Sequence, residues 1–285
     1  MMTYYLVFGD LHGKLLPAFK LAMAWQREQE IPLSGLLQVG DLGYYPDHTR
    51  LDKATLRHAK NDPLELGIKL VTEPSIEADK VFHGKETPPE ALWFTAGNHE
   101  DHERLLSQSQ SAGRVNCFPV DYYLRTRCIK DGHVTTLPDG LRVGGLWGID
   151  DVAPKARRKT PPTARIRGKS AVQLACSKMD VLLTHDAPLH AIYPDAGSAD
   201  IADILRSTQP AFAFFGHYSG RHGQISHTYG TTKLFHMADF EIKRHGHLAE
   251  EKSVGLLSWQ GDSGNFDYLE RKWLDTFSRI DWINR

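Results

Sequence analysis

Apolar residues fall along the chain in short runs that stop abruptly at polar residues able to do chemistry. The first, Tyr4-Tyr5-Leu6-Val7-Phe8, is rich in β-favouring side chains and gives way at once to Gly9-Asp10-Leu11-His12-Gly13. Such a run reads as a buried strand. Four more end the same way: Gly35–Val39 runs into Gly40-Asp41-Leu42-Gly43, Ala91–Ala96 into Gly97-Asn98-His99-Glu100, Val181–Thr184 into His185-Asp186, and Ala211–Phe215 into Gly216-His217. Helical spacing lies between them. Leu15, Leu16, Phe19, Ala22 and Met23 share one face of a helix running to about Glu28, with Pro17 early, where a helix tolerates it. Further helices are expected from Asp47 to about Lys60, through Leu105 and Leu106, and near Ala199 to Arg206.

The middle of the chain reads as β: Cys117–Val120, Tyr122–Thr126, His133–Leu137 and Leu141–Trp147, with Asp131-Gly132 and Asp139-Gly140 as hairpin turns. Asn61–Pro89 is polar and punctuated by proline, the mark of an insertion or a long loop. From Leu256 onward the pattern predicts one or two more strands and a closing amphipathic helix carrying Trp273, Leu274, Phe277 and Ile280. The alternation of strands and helices points to an α/β fold, and no linker requires more than one domain over residues 1–285.

Open α/β sheets place their sites at the carboxyl ends of strands. Five such ends side by side would pool Asp10, His12, Asp41, Asn98, His185 and His217, residue types that bind hard or borderline metals. If the chain stays extended past the first strand, Asp10 and His12 leave on the same side. The glycines before the ligands would let backbone come close to an ion. Taken singly, each of these residues is more simply a turn, a helix cap or a satisfied core residue.

Together and in this order, GDLHG, GD, GNHE, a lone histidine after a later strand, and GH form a pattern that resembles the calcineurin-like metallophosphoesterases. The resemblance runs from about Tyr4 to His217, and on toward Met237. It implies a two-sheet β-sandwich flanked by helices, in four layers α-β-β-α. It also implies a pair of divalent ions, with Asp10 and His12 on the first, Asn98, His185 and His217 on the second, and Asp41 bridging. By the same resemblance, a hydroxide between the ions attacks phosphorus, and His99 protonates the leaving oxygen. Manganese is the metal expected in vitro, with iron and zinc as alternatives.

Two positions depart from the pattern. Ser219 stands where most members place a second histidine on the first metal, so that ion keeps three protein ligands unless His222 swings in. Tyr44 stands where many relatives place an acid that orients the catalytic histidine, leaving Asp47, Asp101 or Glu100 for that task.

Composition narrows the partners. With 41% hydrophobic and 24% charged residues and a formal net charge of −1, the chain has no global attraction to nucleic acid or membrane. One loop is the exception: between Lys155 and Lys169 fall Arg157, Arg158, Lys159, Arg165 and Arg167 with no acid. It is either a solvated face or a recognition element for a polyanionic substrate such as a nucleic acid or nucleotide. Cys117, Cys128 and Cys176 lack disulfide or zinc-ribbon spacing and read as buried free thiols. No leader-like segment and no apolar stretch of ~20 residues is present, so the expected location is cytoplasmic. Three readings stand beside the phosphomonoesterase or phosphodiesterase: a nuclease or nucleotide phosphodiesterase using the basic loop, a serine/threonine protein phosphatase without its DRG motif, and a non-catalytic scaffold, as in one retromer subunit of this superfamily.

Overall fold

Alternate residues of the first strand point to opposite faces, and both faces are apolar. Tyr5 and Val7 join one cluster of buried side chains, Leu6 and Phe8 another. A strand of this kind must be covered on both sides, which is why it reads as an unbroken apolar run. The computed structural model describes residues 1–150, 160–194, 196–218, 227–240 and 250–277.

The strands follow in order as β1 (Thr3–Phe8), β2 (Gly35–Gln38), β3 (Leu92–Phe94), β4 (Cys117–Pro119), β5 (Thr126–Ile129), β6 (His133–Thr136), β7 (Arg142–Leu146), β8 (Val181–Thr184), β9 (Phe212–Phe215), β10 (Thr228–Tyr229), β11 (Thr232–His236), β12 (Val254–Gln260) and β13 (Ser263–Tyr268). Among the described residues they make two mixed sheets. One has the order β13-β12-β1-β2-β3-β5-β4 and the other β10-β11-β9-β8-β7-β6. Within them β1, β2, β3 and β5 are parallel neighbours, as are β7, β8, β9 and β11, so their carboxyl ends lie on the same side of each sheet.

The sheets face each other across Tyr5, Val7, Leu37, Trp93, Val143, Leu183 and Phe214. Outside the first, Leu6, Phe8, Leu36 and Phe94 pack on Leu15, Phe19 and Trp25 of the helix Leu15–Gln29. Outside the second, Leu182, Ala213 and Phe215 pack on helices Gly168–Ala175 and Ala199–Thr208. The four layers expected of an α/β sandwich are all present.

Several elements differ from the sequence reading. The segment Tyr122–Thr126 is not a strand: Asp121 accepts the amides of Arg125 and Thr126 and turns the chain, so β5 begins only at Thr126. The polar stretch 61–89 is largely helical, with Asp62 capping Pro63–Leu66 and Ser75 capping Ile76–Phe82. The helix expected over 47–60 is two pieces, His48–Arg50 and Lys53–Ala59. Helix Gly168–Ala175, which starts at the end of the basic run, was not expected. Cys128 is buried as anticipated, whereas Cys176 is exposed. The closing helix spans Arg271–Leu274, and Ile280 lies outside the described residues. Among the described residues no helix is long and apolar enough to cross a membrane.

Two glycines separate packing from permissiveness. A Cβ at Gly9 would sit 1.9 Å from the Ala238 carbonyl oxygen, whereas one at Gly168 meets nothing within 4 Å. Gly9→Ala is therefore expected to destabilise by at least about 1–3 kcal/mol. Gly168→Ala should leave stability unchanged or raise it. Urea denaturation of the two variants checks the contrast.

Candidate metal centre

β1 ends at Phe8, and the chain then turns instead of running on extended: His12 has φ 42°. The turn, rather than strand alternation, brings Asp10 and His12 together. Leu11 and His12 both donate backbone N–H groups to the Asp41 carbonyl, at 3.0 and 2.9 Å, and Gly13 donates to that of Leu42 at 2.7 Å. The loops after β1 and β2 are thereby stitched into one unit. Gly13 has φ +82°, and a Cβ there would lie 2.4 Å from the Glu65 carbonyl oxygen, so this position needs glycine. Asp41 and His217 also have positive φ, 52° and 69°. Non-glycine residues in that region cost about 1–3 kcal/mol each and persist where the surroundings hold them.

One ligand-type atom from each of Asp10, Asp41 and His185 lies within 4.8 Å of the others, and a second such group comprises Asp10, His12 and Asp239. His185 Nε2 is 3.1 Å from Asp41 Oδ2, and Nδ1 is 3.8 Å from Asp10 Oδ1. The same Nδ1 is 3.3 Å from the Val39 carbonyl, which favours the tautomer that leaves a lone pair on Nε2. The His217 ring stands 5.0 Å from that of His185, and the His99 ring 5.8 Å from that of His12. Gly97 and Gly216 permit this crowding: a Cβ on either would come within 2.2 Å of Asp41 Oδ1 or Asp10 Oδ1 respectively.

The third loop is fixed by carboxylates. Asp41 Oδ1 accepts the amides of both Asn98 and His99 at 2.7 Å. Glu100 reaches back to accept the amides of Leu42 at 2.9 Å and Tyr44 at 2.6 Å. His99 Nδ1 lies 2.7 Å from Asp52 Oδ2, which also accepts from Tyr45 and Thr55 hydroxyls. Asp52 Oδ1 meanwhile caps the helix Lys53–Ala59 through the amides of Ala54 and Thr55. Asp52 thus holds His99, and the three acids considered from sequence are engaged elsewhere. Asp47 caps His48–Arg50, Asp101 pairs with Arg50 at 2.6 Å, and Glu100 clamps the second loop.

Burial drives the electrostatics. It pushes the Asp10 carboxyl well above its usual range, with Asp239 and Asp41 adding to the effect. It acts upward on Asp41 too, but His185 and His99 outweigh it and hold that carboxylate well below its usual range. Burial lowers His12 to about 3, which keeps its ring neutral, the form that binds metals. For His99 burial is again unfavourable to charge, but Asp41 and then Asp52 raise it to about 9. The donor set fits divalent ions: Asp10 Oδ1 and Asn98 Oδ1 are buried and make no hydrogen bond. Orphaned polar atoms of this kind are costly unless something positive meets them.

Asp10, His12, Asp41, His99, His217 and Asp239 line a cleft of about 420 Å³. Thr55, Arg57 and His58 of the helix Lys53–Ala59 form another wall. Arg165 and Arg167, expected to meet substrate, are not among the residues of that lining: Arg165 donates to the Thr160 carbonyl and Arg167 pairs with Asp131 at 3.2 Å. Arg157, Arg158, Ser219 and His222 lie outside the described residues. Asp52, Arg57 and Asp239 were not singled out from sequence. Asp52 was legible only as a helix cap. Asp239 follows an apolar run, Leu234-Phe235-His236-Met237, in the same way as the other strand-end ligands.

The sequence profile described as calcineurin-like phosphoesterase matches residues 4–218. Among solved structures, TT1561 of Thermus thermophilus is similar at a TM-score of 0.50 and 13% identity, over 95% of this chain and 100% of that one. Another matches at a TM-score of 0.52 and 16% identity, over 95% and 100%. Both likenesses concern the fold. No curated protein matches the chain.

Manganese added to chelator-treated protein is expected to raise its melting temperature. At a hundredfold excess over Kd the gain corresponds to about 2.7 kcal/mol for one site. Asp10→Asn should remove most of it. Differential scanning calorimetry with and without metal reads both.

Proposed function

The chain belongs to the calcineurin-like phosphoesterase family, and from that premise we propose that it hydrolyses small phosphate esters with two divalent metal ions held by Asp10, His12, Asp41, Asn98, His185 and His217. His99 is the acid toward the leaving group. The observation that carries this reading is the buried convergence of Asp10, Asp41 and His185, which bring one ligand-type atom each to within 4.8 Å of the others.

When bound, the ions supply Lewis acidity that neutralises phosphoryl charge and readies water for attack. The chain's own residues do the rest. Asp41 is set by the backbone N–H groups of Asn98 and His99, which tie the third loop to the second. Asp52 takes Nδ1 of His99, leaving Nε2 as the ring atom able to hand a proton to the departing oxygen. This is the orienting role that a carboxylate plays behind any general acid or base histidine.

Arg57 and His58, exposed on the cleft wall, are available to the substrate's peripheral phosphate oxygens. The cleft volume falls in the range of small-molecule sites, in keeping with a small ester. Arg165 and Arg167 of the basic run each make a local bond, to the Thr160 carbonyl and to Asp131.

Manganese-loaded protein is expected to release nitrophenol from nitrophenyl phosphate or its bis ester. Folded, metal-loaded protein inert toward both, with manganese, iron and zinc each tried, would sink the proposal. His99→Gln should lower kcat by about 10²- to 10⁴-fold at unchanged metal content. Asp52→Asn, which preserves the helix cap, should lower kcat by a smaller factor, about tenfold or more, with little change in KM. Arg57→Ala should act mainly on KM. Steady-state kinetics on the three variants separates these effects.

A further inference from the structure

We propose that Asp239 is a further protein ligand of the ion held by Asp10 and His12. The inference rests on the binuclear reading above and completes its coordination. One ligand-type atom each from Asp10, His12 and Asp239 lies within 4.8 Å of the other two, and all three residues line the cleft. Asp239 is only 6% exposed.

Its position is fixed from both flanks. Met237 donates its amide to the Phe215 carbonyl at 2.8 Å, prolonging the register of β11 on β9. Ala238 donates to the Lys252 carbonyl at 3.0 Å, and Phe240 to the carbonyl of Asp10 itself at 2.8 Å. The segment also presses on Gly9 so closely that a side chain there would collide with the Ala238 carbonyl. The backbone carrying Asp239 and the backbone carrying Asp10 are therefore in direct contact, which brings the two carboxylates together beside His12.

Counting ligands shows what Asp239 adds. Under the proposed assignment one ion receives Asp41, Asn98, His185 and His217, while the other receives Asp10, His12 and the shared Asp41. Asp239 brings the Asp10–His12 ion to the same number. It also makes the two halves chemically unlike. The His12 half becomes oxygen-rich, with three carboxylates and one imidazole, and the other half is richer in nitrogen. Carboxylate surroundings suit manganese or magnesium, and imidazole suits zinc or iron.

The test is manganese titration of chelator-treated full-length protein by calorimetry, with bound metal counted by mass spectrometry. Wild type is expected to bind two ions. Asp239→Asn, nearly isosteric, should weaken one of them by about 100-fold or more, beyond the range typical of a residue that only supports a ligand. Its metal-free melting temperature should be no lower than wild type, since the exchange removes a buried negative charge beside Asp10. Wild type that takes up no manganese would overturn the binuclear reading itself, and this inference with it. Wild type and variant both binding two ions with equal affinity would overturn the inference alone. If Asp239→Asn does not fold, an anomalous map from manganese-soaked wild-type crystals decides: an ion bonded to an Asp239 oxygen supports the assignment, and a bound ion pair without that bond overturns it.

Discussion

Carboxyl groups packed where water has little access are the constraint around which this fold is arranged. Asp10 and Asp41 are 2% exposed, Glu100 is 5% and Asp239 is 6%, and they converge from loops far apart in the chain. Like charges at such range in a poorly solvated interior are unfavourable unless hydrogen bonds or cations compensate. Backbone amides do part of this: two bind Asp41 Oδ1, and others bind Glu100. The remainder falls on the histidines and on whatever cation enters. The loops are stitched together by the same groups that need compensating, so a cation bound among them would also bear on the order of the strand-end loops.

Much of this arrangement was legible in the sequence because the central strands are buried on both faces. Leu6 and Phe8 pack against helices while Tyr5 and Val7 face the other sheet, so each strand appears as an apolar run whose end is sharply marked. Less legible was anything decided by a local carboxylate or hydroxyl. Asp121 turns the chain where Tyr122 and Tyr123 suggested a strand, and Asp62 and Ser75 start helices in a stretch that proline made look like a loop. The partner of His99 escaped for a related reason. Asp52 spends one oxygen on the helix cap and the other on the imidazole, and only the first of these has a sequence signature.

The region after the second loop sets the character of the cleft. Helix Lys53–Ala59 supplies Asp52 to His99 from its amino end and lines the opening with Thr55, Arg57 and His58. The turn Pro63–Leu66 is fastened beneath the first loop by the buried Lys14, 3.0 Å from Glu65 and 3.6 Å from Asp62. Removing one partner of such a pair would leave an uncompensated charge inside, a larger loss than the pair's own net worth. The segment is thus joined to the charged cluster at two points, through Asp52 and through Lys14.

The left-handed backbone at His12, Asp41 and His217 has a consequence for engineering. Glycine at any of the three would relax the main chain while deleting a side chain that lines the cleft, so at these positions a gain in robustness and the chemistry of the cleft pull in opposite directions.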